Sequence, residues 1–139
     1  MMSKTMHVSI LSAESEFYSG ECQSLVVPTV DGQYGILPDH CEVISAIVPG
    51  ELKYTLPDGT EMLAAVSEGL LKIENGEVLI LVDTSEHPEE IDENRARREA
   101  AAAREELLQR RSMIEYRTAQ AQLARALSRI RVREHGIKH

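Results

Sequence analysis

The sequence predicts an α+β protein: an N-terminal antiparallel β-sandwich, or flattened barrel, followed by a C-terminal antiparallel two-helix hairpin. Three observations carry this expectation. Turn signals recur at short intervals through residues 1–84, an alanine-rich helical periodicity fills residues 85–139, and the charge changes sign between the two. Residues 1–84 hold three basic against thirteen acidic groups (net −10), and residues 85–139 hold twelve against ten (net +2), which together make the overall −8. All eleven arginines lie at or beyond Arg95. Halves this different in chemistry imply different tasks.

In the first half, Met6, Val8 and Ile10 alternate with His7 and Ser9, the pattern of a half-buried strand. The run from Cys22 to Val27 is β-branched and apolar and ends near Pro28. Asp31-Gly32, Pro49-Gly50, Pro57-Asp58-Gly59 and Asn75-Gly76 are turn signals, because Gly and Asn accept positive φ and Pro presets the turn. Between them lie strands expected at Val43–Val48, Leu52–Leu56, Met62–Val66, Leu70–Ile73 and Val78–Val82. Asn75-Gly76, flanked by two apolar runs, is the strongest hairpin signal.

After Asp83 the period changes. Pro88 is suited to the first turn of a helix, and Glu89, Glu90, Asp92 and Glu93 complement the positive end of its dipole. Ala96, Ala100, Ala103 and Leu107 recur on one face. Ser112 and Glu115 fit a capping box that starts a second helix. Its apolar stripe is read as Tyr116, Leu123, Leu127 and Ile130, with Ala119 and Ala126 filling in and Gly136 as the stop. The first helix offers Ile91, Leu107 and Leu108 as its only large apolar side chains. Alanine contacts bury little area, so the hairpin is expected to be marginal alone and ready to exchange packing partners.

A chain of 139 residues makes one domain, or a compact unit with an appendage, and 42% hydrophobic content excludes global disorder. No apolar run reaches the roughly 18 residues of a spanning helix. The N-terminus lacks the basic-then-apolar order of a secretion signal, and two cysteines make no disulfide scaffold, so the chain reads as intracellular. Cys22 and Cys41 are expected as buried free thiols. The acidic balance argues against nucleic acid as a partner. The five histidines have no metal-ligand spacing, and no nucleophile elbow, P-loop or dinucleotide fingerprint occurs. No catalytic residue and no metal are therefore expected. His40 reads as a surface or interface group.

The second helix is the unusual feature. From Tyr116 to Arg133 it carries Arg117, Arg125, Arg129, Arg131 and Arg133 and no acidic residue. Pairing with Glu99, Glu105 and Glu106 of the first helix is the ordinary reading for any one of them. Five without local compensation point to an acidic partner surface. Folding the helices back about Ser112 makes facing residue numbers sum to about 224, which sets Arg95 near Arg129 and Arg125 near Glu99. Arginines converging there form either a salt-bridge cluster or an anion-binding cleft, since guanidinium forks match phosphate oxygens.

The layout resembles the epsilon subunits of bacterial F-type ATP synthases over nearly the whole chain. The resemblance is carried by the run from His7 to Glu14, by Tyr34-Gly-Ile-Leu-Pro-Asp-His40, by Val66-Ser-Glu-Gly-Leu-Leu-Lys-Ile73, and by Ile91-Asp-Glu-Asn-Arg-Ala96. It implies a non-catalytic rotor component, peripheral on the cytoplasmic face of the bacterial inner membrane, that needs no cofactor. The sandwich (residues 1–84) would pack on the gamma subunit and the c-subunit ring, with Asp31, Gln33 and His40 at the rotor interface. The hairpin (residues 85–139) would lie on the sandwich or extend along gamma towards the alpha and beta subunits, where the extended form inhibits ATP hydrolysis. Arg117, Arg125, Arg129, Arg131 and Arg133 would then meet an acidic beta-subunit surface. In some relatives the folded hairpin binds ATP as a regulatory ligand, and the matching positions here are Glu86, Ile91, Asp92, Arg95, Ala96, Arg125 and Arg129. The chain departs from the family pattern at Ala102, where those relatives place a further arginine, at Asp39 and Glu68, where glycines are common, and at Gln33, where some carry an acid. The alternative is a free-standing nucleotide- or phosphate-sensing module. A small β-sandwich enzyme ranks last for want of a nucleophile–base pair.

Overall fold

Met6, Val8 and Ile10 of β1 (Met6–Ser12) point into the core while His7 faces solvent, as their alternation requires. A computed structural model describes residues 4–109 and 113–137 and places β1 in a sheet of ten strands. The others are β2 (Glu16–Cys22), β3 (Ser24–Thr29), β4 (Gly32–Ile36), β5 (Val43–Ile47), β6 (Gly50–Thr55), β7 (Glu61–Val66), β8 (Gly69–Glu74), β9 (Glu77–Val82) and β10 (Ser85–Glu86). Their order is β10-β7-β6-β3-β5-β8-β9-β1-β2, with β4 beside β3. β3 and β5 meet through the single pair Thr29–Ile47, so the sheet turns a corner there and closes into two layers. Val8, Ile10, Leu25, Val27, Ile36, Leu52, Tyr54, Leu71 and Ile80 fill the space between them. The expected sandwich is present.

The strands are antiparallel except at one place. β1 and β9 run parallel, with Val8 opposite Val78 and Ile10 opposite Ile80. No hairpin joins them; the seven intervening strands act as the crossover that a parallel pair needs. β2, β4 and β10 escaped the sequence reading. β2 is an edge strand of mixed polar residues that buries only Cys22, and β4 carries Gly32 and Gly35 with one buried residue, Ile36. The Asn75-Gly76 turn is as expected: φ is 52° and 76°, the pair of positive values of a type I′ turn between β8 and β9. Cys22 is buried, but Cys41 is exposed beside His40, in the loop between β4 and β5.

The helical part differs in detail from its expectation. Pro88 opens a 3₁₀ turn (Pro88–Glu90), not the helix, because Ile91 follows with extended backbone (φ −82°, ψ 123°). Helix α1 (Glu93–Gln109) starts afterwards, capped by Asp92, whose Oδ1 accepts the Arg95 N–H at 3.1 Å. Helix α2 spans Met113–Ile137. The capping box anticipated at Ser112 lies outside the described residues. Ala96, Ala100 and Ala103 are buried, as are Ala119 and Ala126, so the two helices carry small residues on their covered faces. Tyr116 belongs to the surface, and Leu123, Leu127 and Ile130 are only half-buried. Among the described residues the fully covered positions of α2 are Ala119, Ala126, Ser128 and Val132, so the apolar stripe is rotated from the one anticipated. Gly136 does not stop α2. It lies within the helix where a Cβ would sit 2.2 Å from Pro88 Cβ, so its lack of a side chain permits the close approach of α2 to the 3₁₀ turn.

The contact between hairpin and strands is a second, smaller cluster: Ala65, Ile91 and Val132, with Leu63 packed against them. It is separate from the core between the sheet layers.

Candidate functional site

α2 crosses β6 and β7, and a cleft of about 530 Å³ opens between it, α1 and the sandwich edge. Its floor is Ala65, Val66 and Ser67 at the end of β7, with Thr84 and Glu86 beside them. Its walls are Arg95, Glu99, Ala102, Ala103 and Glu106 from α1 and Gln122, Arg125 and Arg129 from α2. The floor is rigid. Ser67 N–H donates to Thr84 O at 3.0 Å, and Thr84 N–H donates to Ser67 Oγ at 2.8 Å.

Of the seven residues proposed from sequence for a nucleotide, four line this cleft: Glu86, Arg95, Arg125 and Arg129. The other three are not in its lining. Ile91 is buried against Ala65 and Val132, Asp92 caps α1, and Ala96 is buried within the packed part of the hairpin. Ala102, the position without the further arginine, lines the cleft.

Each arginine already has a carboxylate. Arg95 Nε donates to Glu99 Oε1 at 3.0 Å. Arg129 donates from Nη1 to Glu99 Oε2 at 3.1 Å and from Nη2 to Glu86 Oε2 at 3.0 Å. Its Nε lies 2.7 Å from Glu86 Oε1, an ion-pair contact in which the N–H is not aimed at the oxygen. Contrary to the folded-back register, which sets Arg125 near Glu99, Arg125 pairs elsewhere. It is held bidentately by Glu68, Nε to Oε2 at 3.0 Å and Nη2 to Oε1. The reason is register: facing pairs such as Arg129–Glu99 and Arg97–Glu134 fall a few residues later than expected, which turns Arg125 towards the sandwich. The Arg125 hydrogen bonds hold the Glu68 carboxyl below its ordinary value of 4.5, and the same contact raises the arginine. Glu68 was identified in the sequence only as a departure from a glycine pattern. Nothing local connects two residues separated by 57 positions.

The remaining arginines of α2 divide. Arg133 donates to Pro88 O at 3.2 Å. Arg117 and Arg131 are exposed, and no ion pair joins them among the described residues. Near the end of α2, His135 Nδ1 lies 2.8 Å from Glu51 Oε2 on β6. Asp31 and Gln33 are exposed at the β3–β4 turn, next to exposed Val30. His40 Nε2 is 3.0 Å from Tyr34 Oη, and its Nδ1 is 2.8 Å from Cys41 O. The residue before it, Asp39, takes positive φ (68°), as its place in a glycine pattern requires. These three sites lie on the sandwich, away from the cleft lining.

Among the described residues no group of His, Cys, Asp and Glu is arranged to hold a metal, and no helix is long and apolar enough to cross a membrane. Fold and cleft together define a class of protein: a β-sandwich carrying a helical hairpin on its flank through ion pairs and a small apolar cluster. Comparison with known proteins gives the family. The chain matches the beta-sandwich domain of the ATP synthase delta/epsilon chain over residues 5–88 and the long alpha-helix domain over residues 89–134. It belongs to that family. Similar proteins include ATP synthase epsilon chains of Nitrosococcus oceani (38% identity, 94% of this chain and 93% of the relative) and Thioalkalivibrio sulfidiphilus (37%, 99% of each). The epsilon chain 1 of Methylococcus capsulatus is 39% identical, with 96% of each covered. The fold also matches a chain in the cryo-EM structure of the Euglena gracilis mitochondrial ATP synthase OSCP/F1/c-ring, with TM-score 0.81 and 16% identity. That match covers 100% of this chain and 84% of that one. A chain of the Tetrahymena thermophila mitochondrial ATP synthase central stalk and c-ring structure matches with TM-score 0.66 and 11% identity, over 96% and 99%.

Proposed function

We propose that the chain is a non-catalytic central-stalk subunit of a bacterial F-type ATP synthase, peripheral on the cytoplasmic face of the membrane. In this reading it helps couple catalysis to ion translocation, and its hairpin brakes ATP hydrolysis. The observation that carries the reading is the way the hairpin is attached. The strands have their own core, while the hairpin is held by a few apolar side chains and by the Arg125–Glu68, Arg129–Glu86 and His135–Glu51 contacts. Such an arm can leave without unfolding its platform.

The platform offers surfaces for the gamma subunit and the c ring. Leu11 lies opposite Leu81, Leu81 opposite Leu70, and Leu70 opposite Ala46, which makes an apolar row across four strands on the outer face. Leu70 and Leu81 are each 40% exposed, and nearby Ile44 is 70% exposed. Leucines presented to water in a row favour burial against a partner, and we assign gamma to this face. The β3–β4 turn, with Asp31 and Gln33, and the loop carrying His40 are assigned to the rotor interface with the c ring.

Release of the hairpin would free Arg125 from Glu68 and Arg129 from Glu86, and separation of its two helices would add Arg133 to Arg117 and Arg131. That set suits an acidic surface on the alpha and beta subunits, and the differential contacts of the two positions set the balance between them. ATP held by Arg95, Arg125 and Arg129 would favour the docked position as a regulatory ligand. Deleting the chain from His87 onward tests the brake: the shortened sandwich should still join the complex, and ATP hydrolysis should rise. Unchanged hydrolysis contradicts inhibition by the hairpin. Isothermal titration with ATP tests the cleft, and no heat at millimolar ATP removes the nucleotide from the account.

The three arginines of the cleft also suit a second reading, a free-standing nucleotide- or phosphate-sensing module. Co-purification with gamma separates the two, since a free-standing module has no affinity for it.

A further inference from the structure

The arginines of the cleft are already outnumbered by carboxylates. Arg95, Arg125 and Arg129 in its lining face Glu86, Glu99 and Glu106, and Glu68 at its edge adds a further carboxylate. A polyphosphate entering this space meets no idle guanidinium; it must take one from a carboxylate. The two inter-element pairs differ in how readily they can give way. Arg129 and Glu86 are 22% and 26% exposed, and Arg129 is also held by Glu99. Arg125 and Glu68 are 41% and 43% exposed, and water can solvate both when they part. Glu68 is also firmly mounted. Its carbonyl accepts the Asp83 N–H at 3.1 Å, and the next residue, Gly69, packs so close to β9 that a Cβ there would lie 1.9 Å from Leu81 O. The carboxylate is therefore presented to α2 from a fixed backbone, and motion at this contact falls to Arg125 and its helix.

We propose that Glu68 is a displaceable internal counter-ion: it latches α2 to the sandwich through Arg125 and competes with an entering phosphate for that guanidinium. The fork that a carboxylate fills with two parallel hydrogen bonds is the one a phosphate fills, so the two cannot hold Arg125 together in the same way. Glu68 thus sets a threshold that an anion must exceed before it supports the docked hairpin. The proposal rests on the reading of the cleft as an anion site.

The test uses the full chain and its Glu68→Gln variant, with ATP and inorganic tripolyphosphate as probes. Without ligand, amides of α2 in the variant should exchange with solvent roughly two- to fivefold faster, the range of a half-exposed ion pair. Binding of both probes should tighten by a similar factor, because glutamine fills the space without the charge. Equal affinity for the two chains, or weaker binding by the variant, overturns the competition while leaving the anion site standing. Unchanged amide exchange overturns the latch. Binding of neither probe by either chain removes the anion site itself, and the proposal with it.

Discussion

Val132→Ala is the substitution that most sharply separates a docked arm from a fused one. Val132 is fully buried in the small cluster with Ala65 and Ile91, and takes no part in the core between the sheet layers. Removing two methyl-sized groups forfeits about 1.6 kcal/mol of transfer free energy, and the space left behind raises this to roughly 2 kcal/mol. That is about a 30-fold shift from docked towards released hairpin. Hydrogen exchange followed by mass spectrometry reads both parts of the molecule at once. Amides of α1 and α2 should exchange about 30-fold faster, an estimate from the same free energy, while those of β1 and β9 keep their protection. If strand amides lose protection in step with the helices, hairpin and sandwich unfold as one unit, and the account of a releasable arm is wrong.

Other expectations follow from particular contacts. Ser128 Oγ is buried with no hydrogen-bond partner among the described residues, so Ser128→Ala should leave the melting temperature unchanged or raise it, by up to about 1 kcal/mol of stability; a clear fall contradicts the orphaned hydroxyl. Gly69→Ala should destabilise the whole sandwich by roughly 3 kcal/mol or more, because a Cβ would meet Leu81 O and β8 cannot withdraw from β9 without breaking their ladder. Gly136→Ala should undock the end of α2 from Pro88 while the strands keep their thermal stability, and amide exchange near residues 128–136 would show it. The pH dependence has a definite sign. Arg125 depresses the Glu68 carboxyl below 4.5, so the latch contributes fully above that value and is lost as pH falls through the depressed one. Hairpin amides should therefore gain exchange, relative to the intrinsic rate, only below about pH 4.5, and Glu68→Gln should remove that component.

How much of this was legible beforehand depended on whether the signal was local. Met6, Val8 and Ile10 announced β1, Asn75-Gly76 announced its turn, and Ala96, Ala100 and Ala103 announced the covered face of α1, since each pattern is fixed by neighbours in sequence. The parallel pairing of β1 with β9 was invisible because it is decided by how seven strands between them fold. β2 was missed because an edge strand buries little and shows little alternation. In the site, Arg95 and Glu99 lie one helical turn apart, and Arg129 was correctly brought to the same place by the hairpin geometry. The partner of Arg125 was missed, because a shift of a few residues in helix register turns a long side chain from one element to another. Gly136 misled for a related reason: a glycine placed for close approach to Pro88 looks, in sequence, like one placed to end a helix.

The central claim is that the hairpin brakes hydrolysis by leaving the sandwich. It is tested most directly by preventing departure. Glu51 and His135 touch across β6 and α2, and cysteines introduced at both positions, with Cys41→Ser to remove the exposed native thiol, can be bridged by a short bis-maleimide. The chain is then assembled with its alpha, beta and gamma partners, bridged or unbridged, and ATP hydrolysis is measured. The account predicts severalfold faster hydrolysis with the hairpin bridged to the sandwich; equal rates for the two assemblies contradict it.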